Sequence, residues 1–111
     1  VVYVEDEALT TRERILKLLY ETGKPLSAEE IISLLGLEDL TVKDVYEHLD
    51  HIARTVKTRS KGREYLGMEP PYCRKCGYVF KDLSKPKKPS RCPRCKSEWI
   101  NPPRFMVLRK G

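Results

Sequence analysis

The sequence predicts an α+β chain: three amphipathic helices, then a two-stranded hairpin with a small metal-binding unit set into it. Three observations predict this. Residues 10–57 hold three runs of helical apolar periodicity, each preceded by a Ser or Thr able to cap a helix. Two strand-like runs, 64–69 and 104–109, each abut a proline pair, Pro70-Pro71 and Pro102-Pro103, on the sides that face each other. Between those pairs lie four cysteines in two Cys-x-x-Cys units.

The elements follow in order. Val1–Val4 fits a strand or an arm and is too short to decide between them. Thr10 and Glu13 have capping-box spacing, each side chain answering a free backbone donor of the first turn, and open a helix to about Glu21. Ile15, Leu18 and Leu19 make its apolar face, widened by Leu16 and Tyr20, and Gly23 can end it in the left-handed conformation. Lys24-Pro25-Leu26 is a short extended link. Ser27 and Glu30 repeat the capping-box spacing before a second helix with Ala28, Ile31, Ile32 and Leu35 inward, stopped by Gly36. Thr41 caps a third helix to about Lys57, with Val42, Val45, Leu49, Ile52, Ala53 and Val56 on one face and Tyr46 at its border. Two helices joined by about five residues, packed on a third, fit a helix-turn-helix; the same pattern also serves domains that bind only proteins.

Lys57-Thr58-Arg59-Ser60-Lys61-Gly62-Arg63 reads as a basic loop, followed by the strand Glu64–Glu69. Proline cannot continue a ladder, so each proline pair marks where pairing ends. Tyr65–Met68 is therefore expected antiparallel to Phe105–Leu108. Three helices and a hairpin make the winged-helix plan. On this reading residues 1–69 plus 103–111 form a winged helix-turn-helix domain, and 70–102 is a ribbon inserted at the wing. The alternative is two domains in series, the last strand belonging to the metal unit.

Cys73-Arg74-Lys75-Cys76, fifteen residues, then Cys92-Pro93-Arg94-Cys95 is a four-cysteine zinc spacing. Two residues between ligands let one tight turn offer both sulfurs, and two such turns complete a tetrahedron. Disulfides are the weaker reading, since nothing in the sequence suggests secretion. Gly77 suits the left-handed position after the first turn; Lys96 stands in its place in the second, which is expected to be less regular. Four thiolates leave no position for water, so the expected cofactor is one structural Zn2+ and hydrolytic chemistry is closed off. The same cage could carry iron and shuttle an electron. Tyr78-Val79-Phe80 reads as a strand with Trp99-Ile100 packed against it, joined by the basic, proline-punctuated loop 81–91.

At 111 residues, 34% charged and 40% hydrophobic, the chain fits a soluble globule rather than a disordered segment, and no run is long enough for a membrane span. No enzyme activity and no small-molecule substrate are expected. No Gln and a single Asn beside abundant Lys, Arg and Glu match a thermophile's composition. The net charge of +6 is segregated. Residues 1–50 carry 12 Asp+Glu against 5 Lys+Arg, and residues 51–111 carry 4 against 17. A polyanion would meet the second half first.

The motifs Cys73-Arg74-Lys75-Cys76-Gly77-Tyr78-Val79-Phe80-Lys81, Ser90-Arg91-Cys92-Pro93-Arg94-Cys95-Lys96-Ser97-Glu98-Trp99 and Pro103-Arg104-Phe105 carry a resemblance. Together with the helices, they make the chain resemble the archaeal predicted transcriptional regulators that join a winged helix-turn-helix to a rubredoxin-like zinc ribbon. The resemblance implies a cytoplasmic DNA-binding or transcription-associated protein with zinc on Cys73, Cys76, Cys92 and Cys95. The expected partner is double-stranded DNA. Phosphate contacts are expected from Lys43, Arg54, Lys57, Arg59, Lys61, Arg63, Lys85, Lys87, Lys88 and Arg91. Asp44, Glu47 and Asp50 on the third helix oppose a simple major-groove reading, unless one accepts from a cytosine amino group. They keep open an adaptor of the archaeal transcription machinery that binds proteins. RNA binding through the basic ribbon is a further alternative, and it would want exposed aromatics from among Tyr72, Tyr78, Phe80 and Trp99. His48 and His51 are expected to be ordinary helix residues.

Overall fold

The computed structural model describes residues 9–83 and 85–110; Val1–Val4 and Ser84 of the basic loop lie outside them. The three predicted helices are present: α1 (Thr11–Thr22), α2 (Ala28–Leu35) and α3 (Val42–Arg59). Their starts are fixed by reciprocal side-chain caps. The Glu13 N–H donates to Thr10 Oγ1 at 3.1 Å while the Thr10 N–H donates to Glu13 Oε1 at 3.0 Å, and Ser27 with Glu30 repeats the pattern. A third box, Thr41 with Asp44, opens α3 with the shorter carboxylate in the Glu position. Gly23 and Gly36, both at φ 65°, end α1 and α2.

α3 runs two residues past the expected end, so Lys57 and Arg59 stand on its last turn rather than in a loop. The reversal itself is Ser60–Arg63, with Lys61 (φ 56°) and Gly62 (φ 81°) left-handed. The Ser60 hydroxyl stitches it, donating to the Val56 carbonyl at 2.7 Å and accepting from the Glu64 N–H at 2.8 Å.

A three-stranded antiparallel sheet follows. β2 (Glu64–Glu69) pairs with β5 (Arg104–Arg109) from Glu64↔Arg109 to Glu69↔Arg104, which puts Tyr65 opposite Leu108 and Met68 opposite Phe105, as expected. The other edge of β5 takes β1 (Leu26–Ser27), giving the order β1-β5-β2. Leu26 is not part of the extended link expected from Lys24-Pro25-Leu26. It is instead a fully buried strand residue opposite Phe105. A second, two-stranded sheet joins β3 (Tyr72–Cys73) to β4 (Ile100–Asn101). Tyr78–Phe80 is not the expected strand; only an isolated bridge, Tyr72↔Val79, forms there.

The main core gathers Ile15 and Leu19 of α1, Ile31 of α2, Val45, Leu49, Ile52 and Val56 of α3, and Phe105 of β5. Tyr46 meets Phe105 edge to face, with ring centroids 6.2 Å apart. Burial pushes the Tyr46 phenol up to about 12. Among the described residues no helix is long and apolar enough to cross a membrane.

The caps make stability pH-dependent. Backbone N–H donation by Thr10, Ser27 and Thr41 holds the Glu13, Glu30 and Asp44 carboxyls below their usual range. Their folded pKa values are depressed, so their contribution is complete above the ordinary carboxylate range and is lost as pH falls through the folded values. Thermal melts in acid should show the midpoint dropping, and Glu30→Gln should flatten that drop. Ser27→Ala should cost about 1 kcal/mol at neutral pH, read from denaturant unfolding.

Candidate metal centre and nucleic-acid interface

Two short turns present the four sulfurs. In the first, the Gly77 N–H donates to the Cys73 carbonyl at 2.9 Å and the Cys73 N–H to the Tyr78 carbonyl at 2.8 Å. The second repeats this bond for bond: Lys96 N–H to Cys92 carbonyl at 2.9 Å, Cys92 N–H to Ser97 carbonyl at 2.8 Å. The expected irregularity at Lys96 is absent. Lys96 takes the left-handed conformation (φ 67°) that Gly77 takes (φ 83°), because the same two hydrogen bonds demand it.

The four sulfur ligand atoms all lie within 4.8 Å of one another, with Cys73 and Cys95 sulfurs 3.5 Å apart and Cys76 and Cys92 sulfurs 3.6 Å apart. A tetrahedron with Zn–S bonds of about 2.3 Å has sulfur edges of roughly 3.8 Å, so the set fits one zinc ion. It is too open for disulfides, and all four cysteines are free. Backbone donors prepare the thiolates. The Cys76 N–H points at Cys73 Sγ (3.5 Å) and holds that thiol down at about 6. Cys92 is buried, which raises its pKa. The Cys95 and Arg94 N–H groups outweigh the burial and lower it. Behind the sulfurs a small core packs Ile100 with Tyr78 and Phe80, whose rings meet edge to face at 5.0 Å. Trp99 does not join it, contrary to expectation. Alternation along the strand sends Ile100 inward and leaves Trp99 57% exposed, under the Arg74 guanidinium.

All ten predicted phosphate-contact residues are exposed, but they do not share one surface. Arg59, Lys61 and Arg63 line a concavity of about 620 Å³ at the end of α3, and Arg109 and Lys110 complete it. Those last two carry no sequence signal of their own. The Glu64↔Arg109 pairing brings them there, the register that the two proline pairs imply. Glu64 anchors the floor, accepting from the Tyr20 hydroxyl at 2.8 Å and from Arg109 at 3.4 Å. Lys57 stands on the last turn of α3, two residues before Arg59. Arg54 is paired with Asp50 at 3.2 Å. Lys43 lies sixteen residues before Arg59 on α3, roughly 24 Å away at 1.5 Å per residue. Lys85, Lys87, Lys88 and Arg91 belong to the ribbon, beyond the opposite end of β2, a strand about 20 Å long.

The acids of α3 also change meaning. Asp44 completes the third capping box, and Asp50 holds Arg54. His48 accepts at Nδ1 from Arg12 Nε at 3.2 Å, and burial, then Arg12, lowers its pKa. Among the described residues no donor cluster for a metal forms around His48 and His51; the four cysteines are the one that does.

Comparison with known proteins finds matches to both parts of the chain. A family model described as PF0610-like, N-terminal, matches residues 10–66, and one described as the PF0610 rubredoxin-like zinc beta-ribbon domain matches residues 70–110. The solution NMR structure of protein PF0610 from Pyrococcus furiosus is 38% identical over 89% of each chain, with a TM-score of 0.68. No curated protein matches. Mixed α+β architecture and one structural zinc follow from these matches and from the sulfur geometry.

Three outcomes check the centre. Chelation should release one zinc per chain and lower the melting midpoint, while most helical circular dichroism persists at 25 °C, because the helices keep their own apolar faces. Gly77→Ala should weaken zinc binding by about 1 kcal/mol in competition with a chromogenic chelator: nothing lies within 4 Å of the added Cβ, so the cost is that of the left-handed backbone alone. Lys96→Gly, which removes the same strain, should bind zinc at least as well as the wild type.

Proposed function

We propose, from the premise that the chain belongs to the PF0610-like family, that it is a winged helix-turn-helix DNA-binding protein, a transcription regulator without enzymatic activity. The observation that carries the reading is the basic concavity, where Arg59, Lys61, Arg63, Arg109 and Lys110 converge from the end of α3, the following turn and the end of β5. Five cations around one hollow suit adjacent phosphates of a duplex, which carries about one charge per 1.7 Å of axis. The element order supports it too. A helix, a short strand, two helices and a hairpin whose last strand takes up the short strand follow the plan of a winged helix, and on this reading residues 70–102 are the insertion at its wing tip.

The contact surface differs from simple major-groove reading by the start of α3. Asp44 accepts from Thr41 to cap that helix, so it is poorly placed to accept from a cytosine. Its loss should cost helix stability rather than base discrimination. The acids that favoured a protein-binding adaptor are partly spent in the same way, Asp44 on the cap and Asp50 on Arg54.

The test is duplex binding by fluorescence anisotropy across a salt series. The triple variant Arg59→Ala, Lys61→Asn, Arg63→Ala uses Asn because position 61 is left-handed. It should lower affinity and reduce the log–log salt slope by about 3, near 0.9 per lost phosphate contact. An unchanged slope, or no duplex binding by the wild type at low salt, would sink the reading.

A further inference from the structure

The β3–β4 hairpin of the ribbon has two faces. Cys73 and Ile100 point inward to the small core at the sulfurs. The outward face carries Tyr72, 40% exposed, and Trp99, 57% exposed, with Val79 beside them through the Tyr72↔Val79 bridge. Arg74 shares this face, one alternation on from Tyr72. Its backbone N–H donates to the Trp99 carbonyl at 2.9 Å, and its guanidinium carbon sits 4.9 Å from the Trp99 ring centroid. Tyr72 opposes Asn101, so Trp99 is its diagonal neighbour, about 7–8 Å away along the ladder and within aromatic reach. Two large aromatics left this exposed on a unit this small are not needed for its core, which Tyr78, Phe80 and Ile100 fill.

The charge around this face is one-sided. Residues 72–101 hold nine Lys and Arg against Asp82 and Glu98. Lys75, Arg94 and Lys96 are exposed on the two metal turns. Flat π-surfaces and a guanidinium plane within a cationic field fit one ligand chemistry, a nucleobase face joined to a phosphate. Bases in a duplex are stacked on one another and cannot offer their faces. An acidic peptide would answer the cations and leave the aromatics without a role.

We propose that the outward face of the β3–β4 hairpin is a stacking platform for single-stranded nucleic acid, with unpaired bases stacked against Tyr72 and the Trp99–Arg74 pair, and phosphates on the cations of the metal turns. The site is separate from the duplex-binding concavity and does not depend on it. Trp99 is the only tryptophan in the chain, so its fluorescence reports on the platform directly.

The experiment titrates the zinc-loaded, full-length chain with a 12-nucleotide oligo(dT), an oligo(rU) of the same length and a 12-base-pair duplex. Trp99 emission and anisotropy of the labelled strand are both followed. Saturable quenching by a single strand, at least tenfold tighter than by the duplex, is expected; comparing dT with rU tells which kind of strand is preferred. Trp99→Ala should weaken single-strand binding about tenfold or more by anisotropy, Trp99→Phe should stay within about threefold of wild type, and Tyr72→Ala should also weaken it. Zinc content and the melting midpoint establish that each variant is folded, and Tyr72→Ala carries the test if Trp99→Ala loses zinc. The concavity triple variant should retain single-strand binding, so failure of one reading is distinguishable from failure of the other. Equal quenching of Trp99 by duplex and single strand in the concavity triple variant, no saturable quenching, or wild-type single-strand affinity in folded Trp99→Ala and Tyr72→Ala overturns the proposal.

Discussion

The last strand of the chain occupies the middle of the three-stranded sheet, and the rest of the structure depends on that placement. β5 holds β1 on one edge and β2 on the other, and its Phe105 is the largest fully buried side chain in the core. The helices cannot complete their packing until residues 104–109 return. Between the two strands of the hairpin, the chain makes its excursion through residues 70–103. Closing a flexible loop of that length costs on the order of 3 kcal/mol. The ribbon removes much of this cost when it folds, because β3 and β4 pair Tyr72 with Asn101 just beyond the Glu69↔Arg104 end of the hairpin. Zinc therefore acts at a distance. By joining Cys73 and Cys76 to Cys92 and Cys95 it brings the two ends of the excursion together, which favours delivery of Phe105 to the helices.

The parts legible in the sequence are those whose cause is local. Thr10, Ser27 and Thr41 announce helix starts because a cap is a contact over three residues. Gly23 and Gly36 announce ends because few other residues accept the left-handed backbone. The cysteine spacing declares the metal because one turn must present two sulfurs. Even the long-range pairing of β2 with β5 was readable, since the proline pairs mark where it stops.

What was not legible depends on tertiary partners. Nothing in Lys24-Pro25-Leu26 separates a link from a two-residue strand until Phe105 is opposite Leu26. The Tyr78–Phe80 segment looks like a strand, yet the sulfur turns set its path and leave only the bridge at Val79. Lys96 was expected to disturb its turn. The hydrogen bonds of Cys92 to Ser97 and of Lys96 to Cys92 impose the conformation and leave the strain in place. Arg109 and Lys110 carry no motif of their own and acquire a site only through strand register.

The register also decides how the positive charge can act. Taken as a composition, the basic half of the chain reads as one surface. In space, the concavity lies at the Glu64↔Arg109 end of the hairpin and the ribbon cations lie past the Glu69↔Arg104 end, with a strand of about 20 Å between them. That separation exceeds the Debye length of about 8–10 Å at physiological salt, so the clusters do not reinforce each other's field. The local surroundings of each cluster therefore decide what it can offer a ligand. The concavity offers cations from three converging segments over a Glu64 anchor, a shape suited to a run of phosphates. The ribbon offers cations beside exposed aromatic rings, which favours a ligand with unstacked bases. The ribbon lies between β2 and β5, which puts these two chemistries at opposite ends of one antiparallel hairpin, and the zinc site holds the second end together.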